Sequence, residues 1–373
     1  MPQSSIQDLL PPWARRLRPY LHGKPIEEIE RELGRSTVRL AANENPLGPS
    51  PHVLEAIRQS LSLLHRFPES SGYYLRQKLA AVHGLDMNQF VLGAGATDLI
   101  ALTARAFLAA GDEAITCEST FHVFRLAVEA VGAVPVFTPL REMCFDLAAI
   151  AQAVTQRTKL IYLANPNNPT GTHFTAHELS RFLASLAPRL LVILDEAYYE
   201  YVQRADYSRS VEEVRAGKNL LVLRTFSKVY GLAGMRLGYG MGYPQLVEVL
   251  NRVRLPFNVS SLAQAAGLAA LDDREHVARS VASNTEEMRF LTEELTLLGV
   301  RYTPSVANFL LLDTGRDCEE DFLRLLHQGV LVRPMKYYGL PTCLRVTVST
   351  HEDNQRFLET LQQVTKSAGR LSA

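Results

Sequence analysis

Lys228 stands where the chain changes character. The apolar run Leu220-Leu221-Val222-Leu223 leads into Arg224-Thr225-Phe226-Ser227-Lys228, and the next stretch holds Gly231, Gly234, Gly238 and Gly240. A short continuous apolar run bounded by glycines reads as a buried strand. The lysine therefore sits at a strand end, between the hydroxyls of Thr225 and Ser227 and near the cations Arg224 and Arg236. Burial and neighbouring positive charge both lower a lysine's pKa, which turns its amine into a nucleophile. Such an amine can condense with an aldehyde, and the hydroxyls and Arg236 can hold a phosphate beside it. Taken alone, a Ser-Lys pair after a strand is an ordinary solvated loop end.

Other residues with chemistry to offer fall at similar places. Lys159–Ala164 reads as a strand followed by Asn165-Pro166-Asn167-Asn168-Pro169-Thr170-Gly171. Leu190–Leu194 reads as a strand ending in Asp195-Glu196-Ala197-Tyr198. Phe90-Val91-Leu92 runs into Gly93-Ala94-Gly95-Ala96-Thr97 and then a helix, so backbone N–H groups at that helix start suit a phosphate. This set matches the needs of a pyridoxal-type cofactor on Lys228. Asp195 would face the pyridine nitrogen; its plainer reading is a cap or ion pair. Asn168 and Tyr198 would donate to the phenolic oxygen. Phe121 would stack on the ring. Gly95, Ala96, Thr97, Thr225, Ser227 and Arg236 would cradle the phosphate. Lys228, once displaced, becomes the general base of a proton shift. Arg345, on a short strand, would pair with an acidic substrate group, or is simply an exposed strand-end charge.

These residues need a scaffold that brings strand ends together. Near-continuous apolar strands alternate with helices from residue 90 to residue 228, which implies a mostly parallel sheet covered on both faces. Ligands bind such sheets outside the carboxyl ends of the strands. Before it lie a helix over Pro25–Gly34 and a proline-rich segment, Arg39–Pro51, that offers Asn43 and Glu44. After Tyr239 the pattern changes to helices at Leu246–Val253, Leu262–Leu271 and about His276–Leu298, then short strands near Phe309–Leu312 and Leu344–Val348. The expected division is an N-terminal arm over 1–50, a large cofactor-binding domain over 51–255 and a C-terminal small domain over 256–373.

Composition excludes several classes. The 373 residues carry 39 basic and 39 acidic side chains, so no nucleic-acid or membrane surface is expected. Cys117, Cys144, Cys318 and Cys343 form no Cys-x-x-Cys pair, so no metal site is expected. No apolar stretch approaches the about 20 residues that span a bilayer, and Met1–Ser5 lacks signal-peptide character. A cytoplasmic enzyme is the expectation.

With these motifs together, the chain resembles the fold-type I, class II pyridoxal-phosphate aminotransferases, and among them the histidinol-phosphate aminotransferases. The resemblance runs from about Pro19 to Thr350. It rests on Leu40–Pro51, Pro166–Gly171, Asp195–Tyr198, Arg224–Lys228, Gly234–Tyr239, Val332–Met335, Tyr338–Pro341 and Leu344–Val348. It implies an α/β fold with a large, mostly parallel sheet between helices and a smaller α+β domain built from both chain ends. It implies pyridoxal 5'-phosphate, a small-molecule amino donor and 2-oxo acid, and a homodimer with active sites at the interface. It gives Lys228, Asp195 and Tyr198 the catalytic roles and Tyr20, Asn43, Arg333 and Arg345 to the substrate. Phe67 holds the position from which the family's tyrosine reaches the partner's cofactor phosphate. The glycine turn has fewer polar side chains than the family's, and Lys336-Tyr337 replaces small residues near Arg333. Aromatic amino acid transamination, or a threonine-phosphate decarboxylase-like lyase reaction, are the alternatives on the same scaffold.

Overall fold

The computed structural model describes residues 6–17 and 25–369. Its centre is a seven-stranded sheet in the order Phe90–Gly93, Gly238–Met241, Leu220–Thr225, Leu191–Asp195, Thr158–Ala164, Glu113–Cys117 and Val134–Thr138. The four strands from Leu220–Thr225 to Glu113–Cys117 pair in parallel, as does Val134–Thr138 at the edge. Gly238–Met241 runs antiparallel to both its neighbours. Helices on both faces bury Phe90, Ile115, Ile161, Ile193 and Leu221 completely, which is why these strands read as unbroken apolar runs.

The strand Gly238–Met241 is not legible as a strand in the sequence, because its glycines mimic a loop. Gly238 is required by packing: a Cβ there would collide with the backbone of Gly95 and Ala96, where the next turn crosses the sheet. Helix starts follow local chemistry. Ser50 caps Pro51–Ser60 by accepting from the Val53 N–H, and Thr175 and Glu178 form a reciprocal capping box.

A second, smaller core surrounds the antiparallel sheet Arg301–Thr303, Phe309–Asp313, Cys343–Thr347 and Arg333–Pro334. Leu310, Leu312, Leu344, Val346, Phe357 and Leu361 fill it, together with Val38 and Leu40 from the other end of the chain. Val38–Arg39 pairs in parallel with Val330–Leu331, so both chain ends build this unit. The helix Ser261–Asp272 packs Ala263, Ala266, Ala270 and Leu271 into the larger core. We propose on that ground that the larger unit runs on to about Asp272, beyond the expected boundary at 255.

Beside the central strands lies a fully buried ion pair. Glu196 Oε2 accepts from Arg224 Nε at 3.0 Å and from Ser210 Oγ at 3.0 Å, and Arg224 Nη2 is 2.9 Å from the same oxygen. The guanidinium also lies 3.3 Å over the Tyr199 ring. Burial disfavours the charge on Arg224, but Glu196 and the surrounding phenols outweigh it and hold the cation. Breaking a buried pair strands one charge. Glu196→Gln is therefore expected to destabilise the protein by about 3–5 kcal/mol, while the paired change Glu196→Leu/Arg224→Met costs less; urea titration of the three proteins measures both.

Candidate active site

Four of the parallel-paired strands, with Phe90–Gly93 and the start of the antiparallel Gly238–Met241, open at the same end of the sheet. The segments beyond them line one cavity of about 320 Å³, a volume suited to a small-molecule ligand. After Gly93 come Ala96 and Thr97; after Cys117, Phe121 and His122; after Ala164, Pro166 and Asn168; after Asp195, Ala197 and Tyr198; after Thr225, Ser227 and Lys228. Arg236 stands just before Gly238–Met241. The smaller unit closes the cavity with Ala41, Ala42, Asn43, Arg333, Tyr338 and Arg345.

Lys228 and Asp195 face this cavity from adjacent strands. Lys228 Nζ donates to the Ala42 carbonyl at 3.0 Å. Burial, then the positive fields of Arg345 and Arg236, pull its pKa from 10.5 down to about 7, against the opposing pull of Glu44 and Asp195. Asp195 is buried, and burial raises its carboxyl to about 6, although Tyr162 and the Ala197 N–H favour the anion. Tyr162 donates its hydroxyl to Asp195 Oδ2 at 2.7 Å, and Ala197 N–H donates to Oδ1 at 3.1 Å. The aspartate is thus held rigidly with its charge destabilised, a state that a cationic nitrogen nearby would relieve.

A second cluster sits at the helix start. Arg236 Nη2 donates to Thr97 Oγ1 at 3.3 Å, and Nη1 lies 3.5 Å from Ser227 Oγ. Thr225 Oγ1 donates to Ser227 Oγ at 2.9 Å. Gly95, at φ +85, has the Arg236 guanidinium where a Cβ would stand. A guanidinium, three hydroxyls and a helix N-terminus converge here, which is the donor set a phosphate monoester needs. The residues present therefore fit a phosphorylated cofactor aldehyde, with its aldehyde toward Lys228 and its ring nitrogen toward Asp195.

The opposite wall joins the two units. Tyr198 is buried, and its hydroxyl accepts from Asn43 Nδ2 at 2.9 Å and from Asn168 Nδ2 at 3.4 Å, which leaves its own proton for an acceptor in the pocket. Asn43 takes φ +56 and is fixed by the Thr347 hydroxyl, which its N–H reaches at 2.9 Å. Arg345 donates to Asn168 Oδ1 and to the Ala41 carbonyl, both at 2.6 Å. Arg345 is 7% exposed, so the alternative of an exposed strand-end charge is corrected: the strand pairs on both sides and turns the guanidinium inward. Arg333 is its cross-strand partner. Two cations opposed in register repel each other, and an anion between them removes that cost.

Most expected residues meet at this cavity: Ala96, Thr97, Phe121, Asn168, Asp195, Tyr198, Thr225, Ser227, Lys228, Arg236, Asn43, Arg333 and Arg345 line it. Gly95 contributes backbone rather than lining. Tyr20 lies outside the described residues. Phe67 does not line the cavity of its own chain: it is 83% exposed and stacks on Phe257 with ring centroids 4.9 Å apart, and its expected reach is toward a partner subunit. Lys336 adds no charge to the pocket, since it pairs with Asp317 at 2.9 Å and Glu319 at 3.1 Å. Tyr162, His122 and Tyr338 went unassigned in the sequence. Tyr162 was hidden inside an apolar strand; a polar tip there is the only signal. Among the described residues, no group of three or more His, Cys, Asp or Glu is placed to hold a metal, and no helix is long and apolar enough to cross a membrane.

Comparison with known proteins agrees with this geometry. The family model described as aminotransferase class I and II matches residues 35–361. Histidinol-phosphate aminotransferase 1 of Nitrosococcus oceani is 46% identical, covering 98% of this chain and 99% of its own. Histidinol-phosphate aminotransferase of Moorella thermoacetica is 43% identical over 93% and 91%. The crystal structure of histidinol-phosphate aminotransferase from Sinorhizobium meliloti, in complex with pyridoxal-5'-phosphate, superposes with a TM-score of 0.87 at 28% identity, covering 96% of this chain and 98% of that one.

The position of Lys228 has a pH signature. Only the neutral amine attacks an aldehyde, so capture of pyridoxal 5'-phosphate by the cofactor-free protein should accelerate as pH rises through about 7 and then level off. Arg345→Gln removes the largest opposing cation and should move the midpoint upward. Stopped-flow absorbance from pH 5.5 to 9.5 reads both; a rate still climbing steeply at the top of that range would refute the burial argument.

Proposed function

Because the chain belongs to the aminotransferase class I and II family, we propose that it uses pyridoxal 5'-phosphate to move an amino group between histidinol phosphate and 2-oxoglutarate. The observation that carries this reading is that two cationic sets line one cavity with Lys228: Thr97, Ser227 and Arg236 in one, Arg333 and Arg345 in the other. The first suits the cofactor's phosphate. The second suits the phosphate of the amino donor in one half-reaction and a carboxylate of 2-oxoglutarate or glutamate in the other. The relatives named as histidinol-phosphate aminotransferases support the choice of donor.

When bound, the cofactor supplies the carbonyl that takes the amino group and a ring that accepts the electron pair from the substrate carbon. Asp195 would hold the proton on the ring nitrogen. Asn168 and Tyr198, the latter oriented by Asn43, would hydrogen-bond the phenolic oxygen, and Phe121 would pack against the ring. Lys228 Nζ would act as the base that moves the substrate proton. Its lowered pKa keeps it neutral enough to do so near pH 7. The active form is a homodimer, for which the exposed Phe67–Phe257 stack is a suitable apolar contact.

The aromatic wall of Phe121, His122 and Tyr338 also favours a planar side chain, which makes an aromatic amino acid the second reading. A single-turnover half-reaction separates the two. Cofactor-loaded protein mixed with histidinol phosphate should lose its visible absorption at least tenfold faster than with phenylalanine, roughly 1.4 kcal/mol of discrimination or more. Equal rates would move the enzyme to aromatic substrates. Lys228→Ala should abolish covalent cofactor attachment and turnover, and Asp195→Asn should lower kcat on the order of 10²-fold or more with cofactor still bound; full turnover in Lys228→Ala would sink the reading.

A further inference from the structure

His122 and Tyr338 meet across the mouth of the cavity from different units. His122 lies in the loop after the strand Glu113–Cys117; Tyr338 ends the turn Lys336–Tyr338 of the smaller unit. The His122 Nδ1 and the Tyr338 hydroxyl are 2.6 Å apart, and the rings stand edge to face with centroids at 5.6 Å. A second bond reinforces the first: Ser119 Oγ donates to the Tyr338 carbonyl at 2.7 Å. Both ends of this contact are firmly seated. The 119–122 loop is tied to the next strand-end loop, with Thr120 Oγ1 donating to Asn167 Oδ1 at 2.8 Å and Asn167 Nδ2 donating to the Ser119 carbonyl at 3.0 Å. Tyr338 packs against Leu311, Met335 and Cys343.

The loop on one side of this contact carries Phe121, whose ring centroid is 5.6 Å from that of His122. The segment on the other side carries Arg333, at the start of the strand pairing with Arg345. We propose that His122 and Tyr338 are a specificity-determining pair, which fixes Arg333 relative to Phe121 and so sets the affinity of the pocket for the acidic end of the amino substrate. They are positioning residues, acting through Arg333 and Phe121. The wall they form is polar but uncharged: burial, together with Arg333 and Arg345, holds the His122 imidazole down at about 4, so it is neutral near pH 7. It can hydrogen-bond the phenol without competing with the arginines for the anion. This inference rests on the reading of the cavity as an amino-substrate site.

The test uses the cofactor-loaded enzyme with His122→Phe, Tyr338→Phe, the double variant and His122→Asn, whose amide can take the place of Nδ1. KM and kcat are measured with histidinol phosphate, and the dissociation constant of inorganic phosphate by calorimetry. Each Phe variant is expected to raise KM and the phosphate dissociation constant about tenfold, with kcat changed less than about threefold. The double variant should be no worse than the more affected single one, since both remove the same bond. His122→Asn should recover most of the loss. Unchanged KM and phosphate affinity in both Phe variants would overturn the proposal. So would losses that follow melting temperature and cofactor content and are not rescued by Asn, because those mark a purely structural contact. If the unaltered enzyme shows no half-reaction with any amino donor, the functional reading fails, while the phosphate affinities still judge the pair.

Discussion

An amine that must attack a carbonyl near neutral pH cannot remain an ordinary solvated lysine, and the site around Lys228 is built on that constraint. The strand Leu220–Thr225 is buried along its whole length, so the lysine emerges from the core rather than from a surface turn. The charges of Arg345 and Arg236 disfavour a third positive charge. The Ala42 carbonyl gives the amine a partner without neutralising it through a full ion pair. A carboxylate in that place would have stabilised the ammonium ion and undone the effect. Asp195, on the adjacent strand, is bound to Tyr162 and the Ala197 N–H instead, and its own charge is weakened by burial.

Arg345, which depresses the lysine, also stands in register with Arg333 across two strands, and two cations so placed favour an anion beside them. Arg236 lies on the far side with Thr97 and Ser227. A ligand set with one acidic group at each end relieves both regions at once. On the proposed reading, electrostatics links three properties: a nucleophilic amine, a phosphate seat and a preference for acidic substrates. Changing any one of the arginines would disturb more than its own contact.

Much of this was legible in the sequence because a parallel sheet is written plainly. Strands buried on both faces are apolar throughout, and the residues after each of them were the chemically unusual ones: Asn168, Asp195, Tyr198 and Lys228. Convergence followed from topology alone. Where the sequence misled, the reason is specific. Gly238–Met241 looks like a loop because the close backbone of Gly95 and Ala96 leaves no space for a side chain at Gly238. Tyr162 looks like one more core aromatic, and only the register of neighbouring strands brings its hydroxyl to Asp195. Lys336 looks like an added pocket charge, but Asp317 and Glu319, close in sequence on an exposed helix start, hold it.

The site is also incomplete without the smaller unit, whose core is assembled from chain ends about three hundred residues apart. Val38–Arg39 pairs with Val330–Leu331, and the chain leads from there to Ala42 and Asn43 at the cavity. Bonds that cross between the units at the pocket include Lys228 to the Ala42 carbonyl, Asn43 to Tyr198, Arg345 to Asn168, His122 to the Tyr338 hydroxyl, and Ser119 to the Tyr338 carbonyl. Each of them ends on a strand-end loop that bears a site residue. Docking of the smaller unit and assembly of the site are therefore one event. The lowered pKa of Lys228 depends on it as well, because Arg345, its strongest cationic neighbour, arrives with that unit. If the small unit moves away, the lysine loses the field that keeps it reactive, and the amine reverts toward an ordinary ammonium ion.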